Sequence, residues 1–407
     1  YFKGGNVGIG ATPVAMHADN SLLQVGSTGT IFSQTASATG KSIYIGQNVF
    51  RHTDGTWDTI VEDEQTLYEQ HGGGHYFYSG ASHASVSTLV TNMKIDINSR
   101  ISLSNNDSSG AVGTTLFGYQ CGENVESGST NNTFYGHMVS GNGTNADSTN
   151  NTGVGFKALF DLTQGDSNVA LGYRSLFDLT TGSNNVSVGN DALKELTTGT
   201  NNIGVGYEAL AALDGAEIGN VAIGYQAGAS IDDDNANYNV IIGQNAGTGG
   251  AAALAQSVII GGAAMDATAG NASTGQIAIG FNALTSLTSG QYNTAVGYEV
   301  MATEDTGNKN TALGYQCLYD LNYDGDGYNT AVGYRALYDA STGIENVAIG
   351  GNAGLALTTG DQNVIVGTGA GANTQDVDGA VIIGNASGQG VMTSGADNSI
   401  GIGNAEL

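Results

Sequence analysis

The chain is poor in basic residues and in charge of either sign. Of its 407 residues, 10 are Lys or Arg and 37 are Asp or Glu, which gives a net charge of −27 with only 12% of residues charged. Proteins that bind nucleic acid need clustered Lys and Arg to displace counterions from the phosphates. The composition therefore argues against a nucleic-acid partner, and the acidity also disfavours contact with a bare anionic membrane.

Long apolar runs are also missing. No segment approaches the ~18 consecutive apolar residues of a membrane-spanning helix, so we expect no membrane insertion. The apolar fraction is nevertheless 40%, and 65 residues are glycine. Glycine-rich chains without a core are often disordered. Here the apolar residues recur in register, which favours an ordered structure.

What the sequence has in abundance is a periodic glycine. It occurs at 17 positions, with eight intervals of 17 residues, three of 18 and five of 19. The positions are Gly118, Gly136, Gly155, Gly172, Gly189, Gly206, Gly224, Gly243, Gly261, Gly280, Gly297, Gly314, Gly333, Gly350, Gly367, Gly384 and Gly403. So regular a period indicates one structural unit per repeat, stacked in a line. We therefore predict an all-β, parallel β-solenoid shaft over residues 111–407.

The residues before each glycine predict a short strand. Three before and one before the glycine are mostly Val, Ile, Leu or Thr, and the residue between them is small, as in Val169-Ala170-Leu171. This alternation is the period-2 pattern of a strand with one large apolar face and one small-residue face. Asn stands four before the glycine in 12 of the 17 repeats. We expect these Asn side chains to form a ladder along the stack.

The residues after each glycine are less decisive. An Ala-Leu-x-x-Leu phrase follows, as in Ala192-Leu193 with Leu196, and its spacing fits a helical turn or a second bent strand equally well. A Thr-Thr-Gly turn closes several repeats. Cys121 and Cys317 take the place of that Ala. Because many repeats separate the two cysteines, the distance between their Cα atoms should exceed the ~7 Å limit of a disulfide. We therefore predict that both are small buried residues.

The repeat as a whole resembles a known group of proteins. The phrases Asn293-Thr294-Ala295-Val296-Gly297-Tyr298 and Asn346-Val347-Ala348-Ile349-Gly350 are similar to head repeats of trimeric autotransporter adhesins of the YadA type, and more so to repeats in long tail fibres of marine bacteriophages. The opening phrase from Gly5 to Pro13 is similar to one found in phage fibre proteins. The resemblance implies a homotrimer of left-handed parallel β-rolls. A monomeric, triangular left-handed helix of ~18 residues per coil is the alternative fold.

Residues 1–110 do not follow the repeat. They contain the only Trp and five of the six His, with short alternating runs such as Met93-Lys94-Ile95-Asp96-Ile97. These runs predict a small N-terminal β-rich domain, acting as a structural adaptor or as a knob that contacts a sugar or a protein. The string His71-Gly72-Gly73-Gly74-His75 reads as a hairpin loop, with a metal ring on a trimer axis as the alternative.

One acidic loop is a candidate cation site. Asp320, Asn322, Asp324 and Asp326 alternate as oxygen ligands do in the first half of a calcium loop, although position twelve is Ala331 and not Glu. A structural Ca²⁺ there is the alternative to a solvated turn, and no other cofactor is expected. Asp232-Asp233-Asp234 is a weaker case.

Two surface features remain open. Tyr follows the glycine in seven repeats, which predicts a tyrosine column that packs the edge of the stack or contacts sugar rings. Acids six after the glycine, such as Asp161 and Asp178, can approach one another between repeats, as glycosidase pairs do. Nothing in the sequence singles out a catalytic pair, and we expect no enzyme.

These observations lead to one functional expectation with two alternatives. The chain is predicted to be a structural and adhesive segment of a phage tail fibre, located in the virion. Its expected partners are two further copies of itself, other tail-fibre or baseplate proteins, and a host-surface glycan or protein receptor. The alternatives are a bacterial trimeric surface adhesin head and a polysaccharide-degrading tailspike.

Overall fold

The structure is all-β in the part of the chain that it describes. The computed structural model describes residues 7–9, 20–25, 29–34, 42–47, 49–51, 57–59, 65–71, 74–80, 90–95, 101–103, 113–126, 128–249, 254–267 and 273–404. These residues contain no α-helix and a single 3-10 turn, Ser394–Ala396. No helix among them has the length and hydropathy needed to cross a bilayer. The chain divides into two compact units, Tyr1–Leu116 and Phe117–Leu407.

The described residues of the first unit form ten strands. They are β1 Val7–Ile9, β2 Asn20–Val25, β3 Gly29–Gln34, β4 Ser42–Gln47, β5 Val49–Arg51, β6 Trp57–Thr59, β7 Gln65–His71, β8 Gly74–Gly80, β9 Val90–Ile95 and β10 Ile101–Leu103. Eight of them form one sheet in the order β1-β2-β3-β4-β7-β8-β9-β10, and β5 pairs with β6. From β2 onward the neighbours in the sheet are antiparallel.

The repeats form a parallel β-solenoid, which confirms this part of the prediction from the glycine period. Its main sheet has 17 strands that follow one another along the chain. They are β11 Thr115–Phe117, β12 Thr133–Tyr135, β13 Thr152–Val154, β14 Val169–Leu171, β15 Val186–Val188, β16 Ile203–Val205, β17 Val221–Ile223, β18 Val240–Ile242, β20 Val258–Ile260, β22 Ile277–Ile279, β23 Thr294–Val296, β24 Thr311–Leu313, β25 Thr330–Val332, β26 Val347–Ile349, β27 Val364–Val366, β28 Val381–Ile383 and β29 Ile400–Ile402. The short strands β19 Leu254–Ala255 and β21 Ser273–Thr274 pair separately. We call each repeat of the solenoid a coil.

Each strand is followed by a glycine corner. The glycines from Gly118 to Gly384 have φ between +130° and +145°, a region that side-chain-bearing residues rarely adopt. At Gly206, an added Cβ would lie 2.1 Å from the carbonyl oxygen of Gly224 in the next coil. Glycine therefore recurs at every corner because both the backbone turn and the stacking distance require it.

The interior is filled from the small-residue face of the strands and from the leucines after the corner. Ala170, Ala222 and Ala295 are fully buried at the middle of their strands. The Ala-Leu-x-x-Leu segment is neither a helix nor a strand: it is a chain of turns in which Leu176 has φ +51°. Its backbone still bonds to the next coil, for example from Leu176 N–H to the carbonyl of Ala192 at 3.2 Å.

The predicted asparagine ladder is confirmed. The Oδ1 of Asn151 accepts from the backbone N–H of Asn168 at 2.9 Å and from its Nδ2 at 3.1 Å. The same Nδ2 donates to the carbonyl of Gly182 at 2.9 Å. These side chains are fully buried, so the ladder satisfies polar groups that would otherwise be costly inside the solenoid.

The cysteine prediction is also confirmed. Cys121 and Cys317 are both free and buried, and burial raises the pKa of Cys317 to about 12. A thiol held protonated in this way is a poor nucleophile. Both residues act as small core side chains.

Candidate functional site

The three acids of the predicted calcium loop each have different neighbours. Asp326 accepts from Lys309 Nζ at 2.6 Å and from the Tyr328 hydroxyl at 3.1 Å. Asp324 accepts from the hydroxyl of Thr306. Asp320 is partly buried, and this burial, followed by repulsion from Asp339, raises its pKa.

The fourth predicted ligand, Asn322, donates its backbone N–H to Ser341 at 2.8 Å. Among the described residues, the one group of three acidic ligands within 4.8 Å of one another is Asp214, Glu217 and Asp234. That group includes the last residue of the weaker Asp232–Asp234 candidate. Cation binding at the Asp320–Asp326 loop stays a prediction.

The residues that follow the glycine corners form stacked aromatic columns. One run joins Phe281, Tyr298, Tyr315 and Tyr334, with successive ring centroids 5.2–5.6 Å apart and interplanar angles of 5–17°. A second run joins Tyr119, His137, Phe156 and Tyr173, in which His137 meets both of its neighbours edge-to-face and Phe156 stacks on Tyr173. In a third, Tyr207 stacks on Tyr225. Because each ring lies against the ring of the next coil, most ring faces within a run are covered. These columns chiefly pack the coil edge.

A separate set of stacked rings is formed by aromatic residues five positions after the repeat glycines. Phe160 stacks on Phe177 at 5.0 Å, and Tyr319 stacks on Tyr338 at 5.1 Å. Basic side chains cover these rings: Lys157 Nζ lies 4.6 Å from the Phe160 centroid, and the Arg335 guanidinium lies 4.3 Å from that of Tyr338. Such cation–π contacts occupy several of the few basic residues that the solenoid contains.

The acids six after the glycine are perturbed by the stacking itself. The pKa of Asp178 is raised by burial and then by the neighbouring Asp161. The pKa of Asp339 is raised by burial and lowered by Arg335. Burial against the neighbouring coils is the larger cause of both shifts.

The N-terminal His string lies partly outside the described residues. In the described part, His71 pairs with Gly74 at the end of the β7–β8 ladder, as a hairpin requires. The Nδ1 of His75 hydrogen-bonds to the hydroxyl of Tyr68 at 2.5 Å. Gly72 and Gly73 lie outside the described residues.

The most extensive surface feature is an outward apolar face on the 17-stranded sheet. It consists of the residues three before and one before each repeat glycine. None of these positions holds a charged residue, Asn or Gln, although the chain has a net charge of −27. Leu171 is 46% exposed, Ile223 41% and Leu313 47%, while the middle residue of each of these strands is fully buried.

The sequence pattern showed that each strand has a large-residue face and a small-residue face, but it did not show which one lies inside. A signal was present. The leucines after the corners fill much of the interior, so the middle strand residue beside them is usually Ala, Gly or Ser. Where glycine takes the leucine position, as Gly247 does, a larger buried residue, Ile241, fills the space. The flanking Val, Ile, Leu and Thr side chains lie on the outside.

No protein-family model, curated protein or solved structure matches this chain.

Proposed function

We propose that this chain is a segment of a homotrimeric tail fibre of a bacteriophage, in which the solenoid is a non-enzymatic shaft that carries a host-contacting surface. A β-solenoid is compatible with fibres and tailspike-like structural proteins. In the virion, the shaft joins other tail-fibre or baseplate proteins, and its surface meets a glycan or protein receptor on the host cell.

The outward apolar face is the observation that carries this proposal. Monomeric soluble proteins rarely expose contiguous apolar patches larger than a few hundred Å². Here two outward positions on each of 17 consecutive strands are apolar, aromatic or threonine. A face that repeats with the period of the coils is best covered by a surface with the same period, and another copy of this chain provides one.

Three copies are proposed because of the resemblance to trimeric adhesin heads and phage fibres. Three identical faces around one axis bury the apolar column of every chain equally, and the acidic side chains remain outside. The net charge then keeps the assembled fibre soluble.

The mass of the purified chain in solution tests the assembly. Light scattering should give about three times the 41.1 kDa chain mass. The variant Ile223→Asp places a carboxylate in the middle of the apolar face and should lower that mass at micromolar concentration. Thr198→Asp adds the same charge at an exposed turn residue and should leave the trimer intact. A wild-type mass of one or two chains would reject the trimer.

A further inference from the structure

A surface cavity on the solenoid combines an uncovered tyrosine face with neutral polar groups. It has a volume of about 400 Å³ and is lined by Ser289, Gln291, Tyr292, Thr306, Asn308, Lys309 and Asp326. These residues come from three successive coils. In each coil they lie in the segment just before the asparagine of the ladder. The volume is within the range of small-molecule sites.

Tyr292 differs from the tyrosines of the stacked columns. Its ring lies against Gly275, where an added Cβ would be 2.7 Å from Cδ1, rather than against another aromatic ring. Contact with the glycine holds one ring face in place. The described residues place neither another aromatic ring nor a cation on the opposite face. That face is open to a ligand.

The basic group in the cavity is already neutralised. Lys309 Nζ donates to Asp326 at 2.6 Å and to the Tyr328 hydroxyl at 3.0 Å, and it lies over the Tyr328 ring, 5.0 Å from the centroid. The side chain is therefore directed to Tyr328. The ion pair offers no unpaired positive charge to a phosphate or carboxylate, and the ammonium group disfavours a cationic ligand.

The remaining lining groups are amides and hydroxyls in a partly fixed arrangement. Asn308 Oδ1 accepts from the backbone N–H of Gln291 at 2.8 Å, which orients the amide. Within the described residues, the side-chain amide of Gln291 and the hydroxyl of Ser289 make no hydrogen bond. They are free to bond a ligand that has several hydroxyl groups.

We infer that this cavity binds a neutral saccharide, with a pyranose ring stacked on Tyr292 and its hydroxyl groups bonded to Gln291, Asn308 and Ser289. A sugar ring has an apolar face of C–H groups and a polar edge, which matches one open aromatic face beside neutral donors and acceptors. The inference deepens the proposed receptor-contacting role and rests on it for its biological meaning. It places glycan contact on the side of the shaft.

The test uses the full chain and an array of neutral oligosaccharides of glucose, galactose, mannose and their N-acetylamino sugars, with sialylated and uronic-acid glycans on the same array. We expect binding to at least one neutral glycan and none to the acidic ones. Saturation-transfer NMR with the best neutral glycan should show transfer from tyrosine ring protons. Absence of any neutral binder, or preference for acidic glycans, would overturn the inference.

Matched variants locate the site. Tyr292→Ala should weaken binding at least tenfold, whereas Tyr292→Phe should retain most of it because stacking does not need the hydroxyl. Tyr238→Ala is the control, since Tyr238 occupies the same register position and lies against Gly219 in the same way, 2.8 Å from an added Cβ. Equal losses in Tyr292→Ala and Tyr238→Ala would reject the assignment.

The assembly and the glycan site give separate readouts. Light scattering on every variant reports the trimer, and the array reports the cavity. A trimer that binds no neutral glycan rejects the saccharide site alone, whereas a glycan-binding monomer rejects the trimer alone.

Discussion

At the residue scale, the solenoid depends on glycine at each corner because neighbouring coils approach too closely for a side chain. The corner glycines combine a positive φ with a carbonyl of the next coil at the position that a Cβ would take. Each of these two requirements alone would favour glycine. Together they exclude even alanine.

Replacement of one corner glycine should therefore destabilise the whole stack. Gly206→Ala has to move Gly224 or change its own φ, and we expect a loss of about 1–3 kcal/mol from overpacking together with the strained backbone. Calorimetry at a fixed scan rate would show this loss as a lower melting temperature. Gly403→Ala is the control in the same register, because no atom lies within 4 Å of its Cβ. Equal shifts in the two variants would contradict the stacking explanation.

One buried carboxyl breaks the apolar column of the interior. Glu304 takes the register position held by Leu287 and Leu321 in the adjacent coils and is fully buried. Its Oε1 accepts from the N–H groups of Gly307 at 2.6 Å and Thr306 at 3.1 Å, while Oε2 has no partner. Burial raises the pKa of Glu304 to about 7, and the two N–H groups lower it.

Glu304 should make stability depend on pH. Because the folded chain holds this proton more tightly than the unfolded chain, the contribution is complete below pH 4.5 and is lost as the pH rises to about 7. The shift corresponds to roughly 3 kcal/mol over that interval. Glu304→Gln should remove this part of the pH dependence, measured as the difference in melting temperature from the wild type between pH 4.5 and 7.5.

Glu195→Gln is the control for a surface carboxylate, because Glu195 is exposed beside Lys194. It should change the pH dependence much less than Glu304→Gln does. If the two variants give the same pH profile, the buried carboxyl does not titrate as proposed.

At the scale of the element, the asparagine ladder links the start of each strand to the next coil by buried hydrogen bonds. Asn202 bonds in both directions: its Nδ2 donates to the Glu217 carbonyl at 2.7 Å, and its Oδ1 accepts two bonds from Asn220, at 3.0 and 3.1 Å. The ladder is incomplete at Asn310, whose Nδ2 has no partner.

Asn202→Ala should leave the buried backbone N–H of Asn220 without a partner, whereas the carbonyl of Glu217 keeps its bond from the Thr200 N–H at 3.2 Å. At about 1–3 kcal/mol for one unsatisfied group, we expect a loss of about 1–3 kcal/mol. Hydrogen exchange should become faster first at Asn220. Asn202→Ser should cost less, because Ser257 in the same register accepts from the N–H of Gln276 through its Oγ at 3.1 Å. A larger effect of the serine variant than of the alanine variant would contradict the ladder argument.

At the scale of the whole molecule, the solenoid is a stack of nearly equivalent units. Every coil contacts chiefly its two neighbours, so its stability is a sum of coil and interface contributions. The outward apolar face runs through all the coils, and the saccharide cavity spans three of them. The proposed recognition of a glycan thus depends on three coils, whereas the length of the solenoid depends on the number of coils.

Removal of one complete coil should therefore be tolerated. Deletion of residues 172–188 joins Leu171 to Gly189 and preserves the strand, corner and asparagine register; the Ser175–Ser187 hydrogen bond lies wholly within the deleted coil. We expect β-type circular dichroism, an unchanged number of chains in the assembly and a rod shorter by about 4.8 Å. Deletion of residues 172–180 breaks the register and should unfold the surrounding coils. Unfolding by both deletions would contradict the additive description.

The period of glycine and asparagine was sufficient to predict the parallel solenoid, its short strands, the buried cysteines and the asparagine ladder. Each of these follows from local chemistry repeated in register: a corner that admits only glycine, a buried amide that bonds its equivalent, and a small residue inside most of the strands. The sequence also placed Tyr298, Tyr315 and Tyr334 in one column, because identical register positions must stack.

Only the tertiary structure decided which strand face is the interior. Alternation defines two faces but does not orient them, and the orientation depends on how much volume the leucines of the same coil occupy. The structure also separated Tyr292, whose outer face is open, from the tyrosines covered by their neighbours, and it paired Lys309 with Asp326 inside the proposed calcium loop. These distinctions depend on which side chains from different coils meet, and a period read along one chain does not contain that information.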